Sequence, residues 1–151
     1  MTVAYVGIGS NLGDPRAQVL QAFDELGRLP QTRLVKKSSL YRSAPLGYTA
    51  QPQFVNAVAE LETGLAAERL LAELQAMEAR HGRQRSFRNA PRTLDLDLLL
   101  FGDLELDSST LKVPHPRMRE RAFVLRPLLE IAPQLAFTLE ACAGQTIERI
   151  D

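Results

Sequence analysis

The chain has 151 residues, of which 45% are hydrophobic and 24% are charged, and its 18 basic residues equal its 18 acidic ones. A chain of this size typically forms one domain, so residues 1–151 are expected to be a single domain. The absence of a basic surplus disfavours a nucleic-acid partner, and no apolar run approaches the ~20 residues that span a bilayer. Since the N-terminus has no signal-peptide pattern, we expect a cytoplasmic protein. We also expect a monomer that does not bind membranes.

The hydrophobic pattern predicts strands and helices in alternation over the first hundred or so residues. Asp14 has the character of a helix N-cap, Pro15 suits the first helical turn, and Gly27 follows the last apolar residue at helical spacing. A second helix ends at His81 and Gly82. The predicted strands cover residues 2–9, 34–41, 54–61 and 94–101, and the predicted helices cover residues 15–26 and 65–80.

This order of elements predicts an α+β fold. Strand, helix, strand, strand, helix, strand is the βαββαβ order of ferredoxin-like folds, in which both helices pack on one face of an antiparallel sheet. A C-terminal extension follows this core. Within it, Pro114, His115 and Pro116 predict a rigid loop, residues 119–131 predict short helical structure interrupted by Pro127, and roughly the last dozen residues predict no element.

Asp95 and Asp97 are the first candidates for chemistry. Residues two apart in a strand share one face, about 6.6 Å apart, so the two carboxylates repel each other and are costly to desolvate. A solvated sheet face is the plainer alternative, but Leu99 and Phe101 continue the same face. A bound Mg²⁺ resolves the conflict, because it takes one or two carboxylates and fills its shell with water and substrate phosphates. The opposite, core-facing row is predicted to contain Leu94, Leu96, Leu98 and Leu100.

A run of arginines precedes this acidic pair in the chain. Arg83, Arg85, Arg88 and Arg92 lie within ten residues, as expected of a clamp for a polyphosphate. A solvated basic loop is the alternative. The neighbouring carboxylate pair favours the phosphate interpretation.

Four further residues suggest a binding site. His115 is held between two prolines, and Arg121 follows it, although an ordinary surface histidine is an equal alternative. On the fourth predicted element, Phe54 and Asn56 share one face, and a mid-strand amide that both donates and accepts suits the edge of a flat heterocycle. His81 ends a helix, where a favourable contact with the helix dipole is the simpler interpretation.

Together these motifs resemble one family, the 6-hydroxymethyl-7,8-dihydropterin pyrophosphokinases of folate biosynthesis. The most specific of them is the run Pro-Arg-Thr-Leu-Asp-Leu-Asp at residues 91–97. The resemblance covers about nine-tenths of the chain, through residues 8–13, 41–47, 53–57, 82–83, 91–102, 113–118, 121–125 and 127–128.

The resemblance implies an ATP-dependent diphosphotransferase. Pyrophosphate passes from ATP to the hydroxymethyl group of the dihydropterin, AMP is released, and the product enters tetrahydrofolate biosynthesis. Asp95 and Asp97 are implied to hold two Mg²⁺ ions at the triphosphate. Arg83 and Arg92 match the family's mobile arginines, which clamp the phosphates and complete the catalytic set.

The resemblance also implies where the two small-molecule substrates bind. The pterin is expected between Phe54 and Phe123, with Asn56 at its pyrimidine edge and backbone groups of Ser43 and Leu46 completing that edge. ATP is expected near a second set of residues, which consists of Leu71, Gln75, Glu78, Arg83, Arg92, Leu98, His115 and Arg121.

Two alternatives share the predicted fold. A palm-type nucleotidyl transferase also carries an aspartate pair on such a sheet, but it releases pyrophosphate and does not need a pterin-like set of residues. An RNA-recognition module needs aromatic residues and basic surroundings on the sheet face. Here that face carries Asp95 and Asp97, which repel phosphates when no metal is bound.

Overall fold

A computed structural model describes residues 1–44, 51–82 and 93–151 of the chain. Its strands are β1 (Thr2–Ser10), β2 (Thr32–Lys37), β3 (Tyr41–Ser43), β4 (Phe54–Thr63), β5 (Asp95–Phe101), β6 (Leu106–Asp107), β7 (Lys112–Val113) and β8 (Ile147–Arg149). Its α-helices are α1 (Pro15–Leu26), α2 (Ala67–Arg80) and α3 (Ala122–Ile131). Single 3₁₀ turns occur at Met118–Glu120 and Glu140–Cys142.

Within the described residues, the main sheet has six strands, and their pairing is antiparallel. β5, β1, β4, β3 and β8 lie side by side in that order, and β2 pairs with the second half of β4. The predicted α+β fold with an antiparallel sheet is confirmed, and β8 extends it at one edge. β6 and β7 form a separate two-stranded hairpin.

The two faces of the sheet have separate hydrophobic cores. On one face, α1 and α2 contribute Val19, Phe23, Leu26, Leu70, Leu74 and Met77 to a single buried cluster. On the other, α3 contributes Val124, Leu125 and Leu128 to a cluster with Tyr5, Val58 and Leu99 of the sheet. Both predicted helices therefore share one face as expected, and the extension supplies α3 to cover the opposite face.

The predicted strand over residues 34–41 is wrong as a single element, because two strands occupy this region. Ser38 interrupts the ladder with β4: its Oγ accepts a hydrogen bond from Val58 N at 2.9 Å, in the place of a backbone carbonyl. The backbone N–H of Ser39 then donates to the carboxylate of Glu130 on α3 at 3.1 Å. These bonds turn the chain out of the ladder after β2, and pairing with β4 resumes at Tyr41.

The predicted row of core leucines on β5 is correct only as far as Leu98. The pairing of β1 with β5 shifts between Tyr5 and Val6, which face Leu100 and Leu98 respectively, so Leu99 is an extra residue in β5. Because of this bulge, Leu99 and Leu100 both pack against the core on the α3 side, and Phe101 packs against the α1 and α2 side. A bulge of this kind reverses the alternation beyond it.

The expected interruption at Pro127 is also wrong, because α3 runs unbroken through this residue. Proline removes one hydrogen bond of the helix, and burial of Val124, Leu125, Leu128 and Ile131 on the sheet offsets that loss. The last residues, for which no element was predicted, form β8 on the edge of β3. Across the described residues, no helix combines the length and apolar character that a membrane span requires.

Candidate active site

A cleft of about 720 Å³, counting the part open to solvent, lies on the α3 face of the sheet. Gly7 and Gly9 of β1 line it together with the start of α3. The predicted site residues that line it are Ser43, Phe54, Asn56, Asp95, Asp97, Arg121 and Phe123. The expected metal ligands and the expected pterin contacts therefore open into one space.

The register of three adjacent strands explains this grouping. Gly9 pairs with Asn56 of β4 on one side and with Asp95 of β5 on the other. Gly7 pairs with Asp97 in the same way. Because neither glycine has a side chain, nothing projects from β1 at these two positions. The space between the Asn56 amide and the two carboxylates therefore stays open.

His115 lies against the acidic pair. Its backbone N–H donates to the carbonyl of Leu99 at 2.9 Å, which holds the loop along β5. Its Nε2 lies 3.8 Å from Oδ1 of Asp97, and the two side chains are 19% and 30% exposed. This contact places His115 beside the acidic pair. The alternative interpretation, an ordinary surface histidine, did not predict such a contact.

The tautomer and charge of His115 follow from its surroundings. The backbone N–H of Arg117 donates to Nδ1 at 3.2 Å, so Nδ1 is unprotonated and the proton of the neutral ring is on Nε2. Burial lowers the pKa of His115 below its ordinary value of 6.5, and the charges of Arg121 and Arg117 lower it further, while Asp95 opposes them. At neutral pH the ring is therefore uncharged and directs an N–H toward the carboxylate end of the cleft.

Asn56 and Ser43 form a buried polar pair on the other side of the cleft. Ser43 Oγ donates to Asn56 Oδ1 at 2.5 Å, and the two residues are 6% and 5% exposed. This bond fixes the orientation of the amide. The Nδ2 group lies over Gly9, 3.1 Å from the position that a Cβ on that glycine would take. A hydrogen-bond donor is thus held in place at the floor of the cleft.

Two aromatic rings also line the cleft. Phe54 is on β4 and Phe123 is on the first turn of α3, and both are half-buried. The guanidinium of Arg121 lies 5.5 Å from the centre of the Phe123 ring, within the range of a cation–π contact. The cleft therefore offers apolar ring surface beside a buried amide, with an arginine at the border between them and the carboxylates.

The residues expected near ATP divide into two groups. His115 and Arg121 lie at the cleft, whereas Leu71, Gln75, Glu78 and Leu98 belong to α2 and the face of β5 toward it. Glu78 Oε2 accepts a hydrogen bond from the backbone N–H of Leu96 at 2.8 Å, and Leu98 is buried against α2. The expected residues Leu46, Arg83 and Arg92, with Arg85 and Arg88, lie outside the described residues.

The donor set fits a hard divalent cation of the Mg²⁺ type. Among the described residues, no group of three or more His, Cys, Asp and Glu side chains is arranged to hold a metal by itself. Two half-exposed carboxylates on one face match the way Mg²⁺ binds, with water and substrate phosphate supplying the remaining ligands. Asp95 and Asp97 are the residues that would hold such an ion.

Sequence reasoning missed Gly9 as a member of the site. Any side chain here would press on the amide of Asn56. A glycine within a strand often marks a close approach of this kind, so two glycines in the run Gly7-Ile8-Gly9 were an available signal. Ser43 is expected to act through its backbone, and sequence reasoning did not foresee that its hydroxyl also orients Asn56.

Comparison with known proteins identifies the family. Residues 5–133 match the sequence model of 7,8-dihydro-6-hydroxymethylpterin-pyrophosphokinase. A protein of Pseudomonas aeruginosa named 2-amino-4-hydroxy-6-hydroxymethyldihydropteridine pyrophosphokinase is 53% identical over 154 residues, which cover 97% of this chain and 95% of that protein. A Haemophilus influenzae protein of the same name is 47% identical over 89% of this chain and 84% of its own length.

Solved structures support the fold. A protein named HPPK-DHPS, solved in complex with substrates, superposes with a TM-score of 0.71 at 12% identity and covers 91% of this chain. A Plasmodium falciparum protein of that name gives 0.68 at 13% identity. This chain spans 41% and 43% of those longer chains. By its sequence match and its close relatives, the chain belongs to the 7,8-dihydro-6-hydroxymethylpterin-pyrophosphokinase family.

Proposed function

We propose that the cleft on the α3 face is where this chain performs its family's reaction, the transfer of pyrophosphate from ATP to the hydroxymethyl group of 6-hydroxymethyl-7,8-dihydropterin. The observation that carries the proposal is the register at Gly9, which sets the buried amide of Asn56 and the carboxylate of Asp95 on either side of one glycine. A heterocycle at the amide thereby presents its substituent to the carboxylates. The proposal concerns a single domain, acting as a cytoplasmic monomer without nucleic acid.

The pterin binds at the Asn56 end of the cleft. The amide held by Ser43 donates through Nδ2 to an acceptor on the pyrimidine edge, and backbone groups of Ser43 and Leu46 pair with the rest of that edge. Phe54 and Phe123 stack on the ring, a contact worth about 0.5–1.5 kcal/mol beyond area burial. Both aromatic side chains line the cleft and are only half-buried, which supports this role.

The triphosphate of ATP binds at the other end. Asp95 and Asp97 would hold two Mg²⁺ ions, which when bound offset the negative charge of the phosphates and favour attack on the β-phosphorus. Arg121 contributes a fixed positive charge at the border of the two subsites. His115, neutral and protonated on Nε2, donates a hydrogen bond to a phosphate oxygen without the cost of charging its ring.

The chemistry is a displacement at phosphorus. The hydroxymethyl oxygen forms a bond to the β-phosphorus, the bond from that phosphorus to the oxygen shared with the α-phosphate breaks, and AMP leaves while the hydroxyl proton is released. Positioning and charge stabilisation supply most of the catalysis in such reactions. Arg83 and Arg92 join the catalytic residues as arginines that approach the phosphates and exclude water.

The nucleoside part of ATP is assigned to the region between α2 and β5, with Leu71, Gln75, Glu78 and Leu98. Gln75 is exposed and Leu71 half-buried on α2, so both have surface to offer a ligand. Glu78 and Leu98 are buried and act indirectly. Glu78 accepts a hydrogen bond from the β5 backbone, and Leu98 packs that strand against α2.

Identification of the nucleotide product tests the proposal. The protein is incubated with ATP, Mg²⁺ and the dihydropterin, and the nucleotides are separated and quantified. AMP formed one for one with pterin diphosphate, and only when pterin is present, is the expected result. ADP as product would indicate an ordinary kinase, and pterin-independent release of pyrophosphate would indicate a nucleotidyl transferase. Asp97→Asn protein provides the matched control.

A further inference from the structure

The side chain of Gln145 forms hydrogen bonds with the backbone on both sides of Arg121. Its Oε1 accepts a hydrogen bond from the backbone N–H of Ala122 at 2.9 Å. Its Nε2 donates to the backbone carbonyl of Glu120 at 2.6 Å. An amide that uses both its acceptor and its donor in this way restricts the rotation of the peptide groups between them. The residue so enclosed is Arg121.

The bond from Ala122 to Gln145 also caps the start of α3. The first N–H groups of a helix have no partner within the helix, and the side chain of the N-cap residue Arg121 does not cap them. Gln145, more than twenty residues later in the chain, therefore acts as the cap for the first of them, on Ala122. Phe123 follows Ala122 in this first turn of α3, so the direction of its side chain depends on how the turn is held.

Gln145 is itself held on both sides. Its backbone N–H donates to the carbonyl of Cys142 at 3.0 Å, and Cys142 is buried in the core under α3. On the other side, Ile147 begins β8 and pairs with Ser43 of β3. The segment therefore spans from the pterin edge of the cleft, at Ser43, to the border residue Arg121.

We propose that Gln145 is a positioning residue for the pyrophosphokinase site, acting through Arg121 and Phe123. The proposal rests on the function assigned above to those two residues and extends it to the C-terminal segment. Without the amide, the peptide groups beside Arg121 rotate, and the guanidinium and the ring that it lies over leave the geometry of the cleft. Misplacement by as little as about 1 Å can cost up to about a hundredfold in rate.

The test is a double-mutant cycle between Gln145→Ala and Arg121→Ala. Turnover and kcat/KM for the dihydropterin are measured well below the unfolding temperature of each variant, which is determined separately. We expect Gln145→Ala to lower kcat/KM about tenfold in the parent protein and about twofold or less when Arg121 is already alanine, because residues that act through one another are not additive. Thr146→Ala is the matched control, since Thr146 is exposed beside Gln145, and should keep full activity.

A merely structural role gives a different pattern. An unfolding temperature that falls while kcat/KM stays at the parent value overturns the proposal, and so does an equal loss in both Arg121 backgrounds. If Gln145→Ala does not fold, the near-isosteric Gln145→Glu replaces it in the cycle, since it keeps the packing and loses the donor to Glu120. Full activity of Arg121→Ala alone contradicts the phosphate role of Arg121, which is a failure of the proposed function and is seen before Gln145 is altered.

Discussion

Glu78 Oε2 accepts a hydrogen bond at 2.8 Å from the backbone N–H of Leu96, the residue that lies between Asp95 and Asp97. Leu96 belongs to β5, the strand at one end of the sheet, and this N–H points away from β1. A buried carboxylate from α2 thus accepts the hydrogen bond of a β5 backbone N–H that does not face β1. This N–H belongs to the residue between the two aspartates. The link joins the α2 face of the sheet to the cleft on the opposite face.

Loss of this acceptor should reduce both stability and turnover. Glu78→Ala leaves the Leu96 N–H without this partner in a buried place, at a cost of about 1–3 kcal/mol, and frees the strand that carries the aspartates. Glu78→Gln retains an acceptor and should restore most of the free energy of unfolding. Chemical denaturation and turnover of the three proteins check this. Equal stability of Glu78→Ala and the parent would contradict it.

The alternation of apolar residues was sufficient to predict the sheet, the two helices on one face and the shared face of Asp95 and Asp97. These features depend on the local period of the chain. Leu99 and Leu100 show where local reasoning ends, because a bulge is a mismatch in count between two strands and only the partner β1 reveals it. The split between β2 and β3 has the same origin, since it depends on Glu130 of α3, some 90 residues further along the chain.

Part of the site could also be predicted, for similar reasons. Residue type was enough for Asp95, Asp97 and Asn56, because each is unusual within an apolar strand. A glycine within a strand, such as Gly9, signals a close approach, but the sequence does not say which group lies opposite it. The backbone groups that the Gln145 amide meets could not be predicted either. Both depend on contacts between segments distant in sequence.

Neutralising the acidic pair should abolish activity and leave the fold intact. Asp97→Asn, and separately Asp95→Asn, should lower turnover by orders of magnitude at saturating Mg²⁺, because the metal supplies charge stabilisation to the transferring group. Removing one of two neighbouring half-exposed carboxylates costs no core packing, so the unfolding temperature should not fall. Near-normal turnover of either variant at high Mg²⁺ would place the metal elsewhere.

His115 should titrate below its ordinary range in the magnesium-free protein. Its folded pKa is lowered from 6.5 by burial and by Arg121, so protonation favours the unfolded chain. This ring therefore leaves stability unchanged well above pH 6.5, and stability declines as the pH falls from 6.5 through the folded pKa. NMR titration of the ring should show this low pKa and the proton on Nε2 at neutral pH. His115→Gln should remove that part of the pH dependence and assign the signal, since His81 is the other histidine.

Gly9 and Gly7 offer a paired test of how the pterin amide is held. Both line the cleft on the same face of β1, two residues apart. A Cβ on Gly9 would stand 3.1 Å from Nδ2 of Asn56, whereas the atom nearest to a Cβ on Gly7 would be a methyl carbon of Leu99, at 3.5 Å. Asn56 cannot give way freely, because Ser43 Oγ holds its Oδ1 at 2.5 Å.

Gly9→Ala should therefore displace the amide and weaken pterin binding about tenfold, or roughly 1.4 kcal/mol, while ATP binding is unchanged. Gly7→Ala adds the same methyl group at ordinary contact distance and should have a much smaller effect. Calorimetric titration with each ligand checks both variants, with Asn56→Ala as the reference for loss of the amide. If the two glycine variants weaken pterin binding equally, the cause is narrowing of the cleft by a methyl group. If instead Gly9→Ala causes no further loss of pterin binding in the Asn56→Ala protein, the two changes act on one contact. The Gly9 substitution then acts through the Asn56 amide.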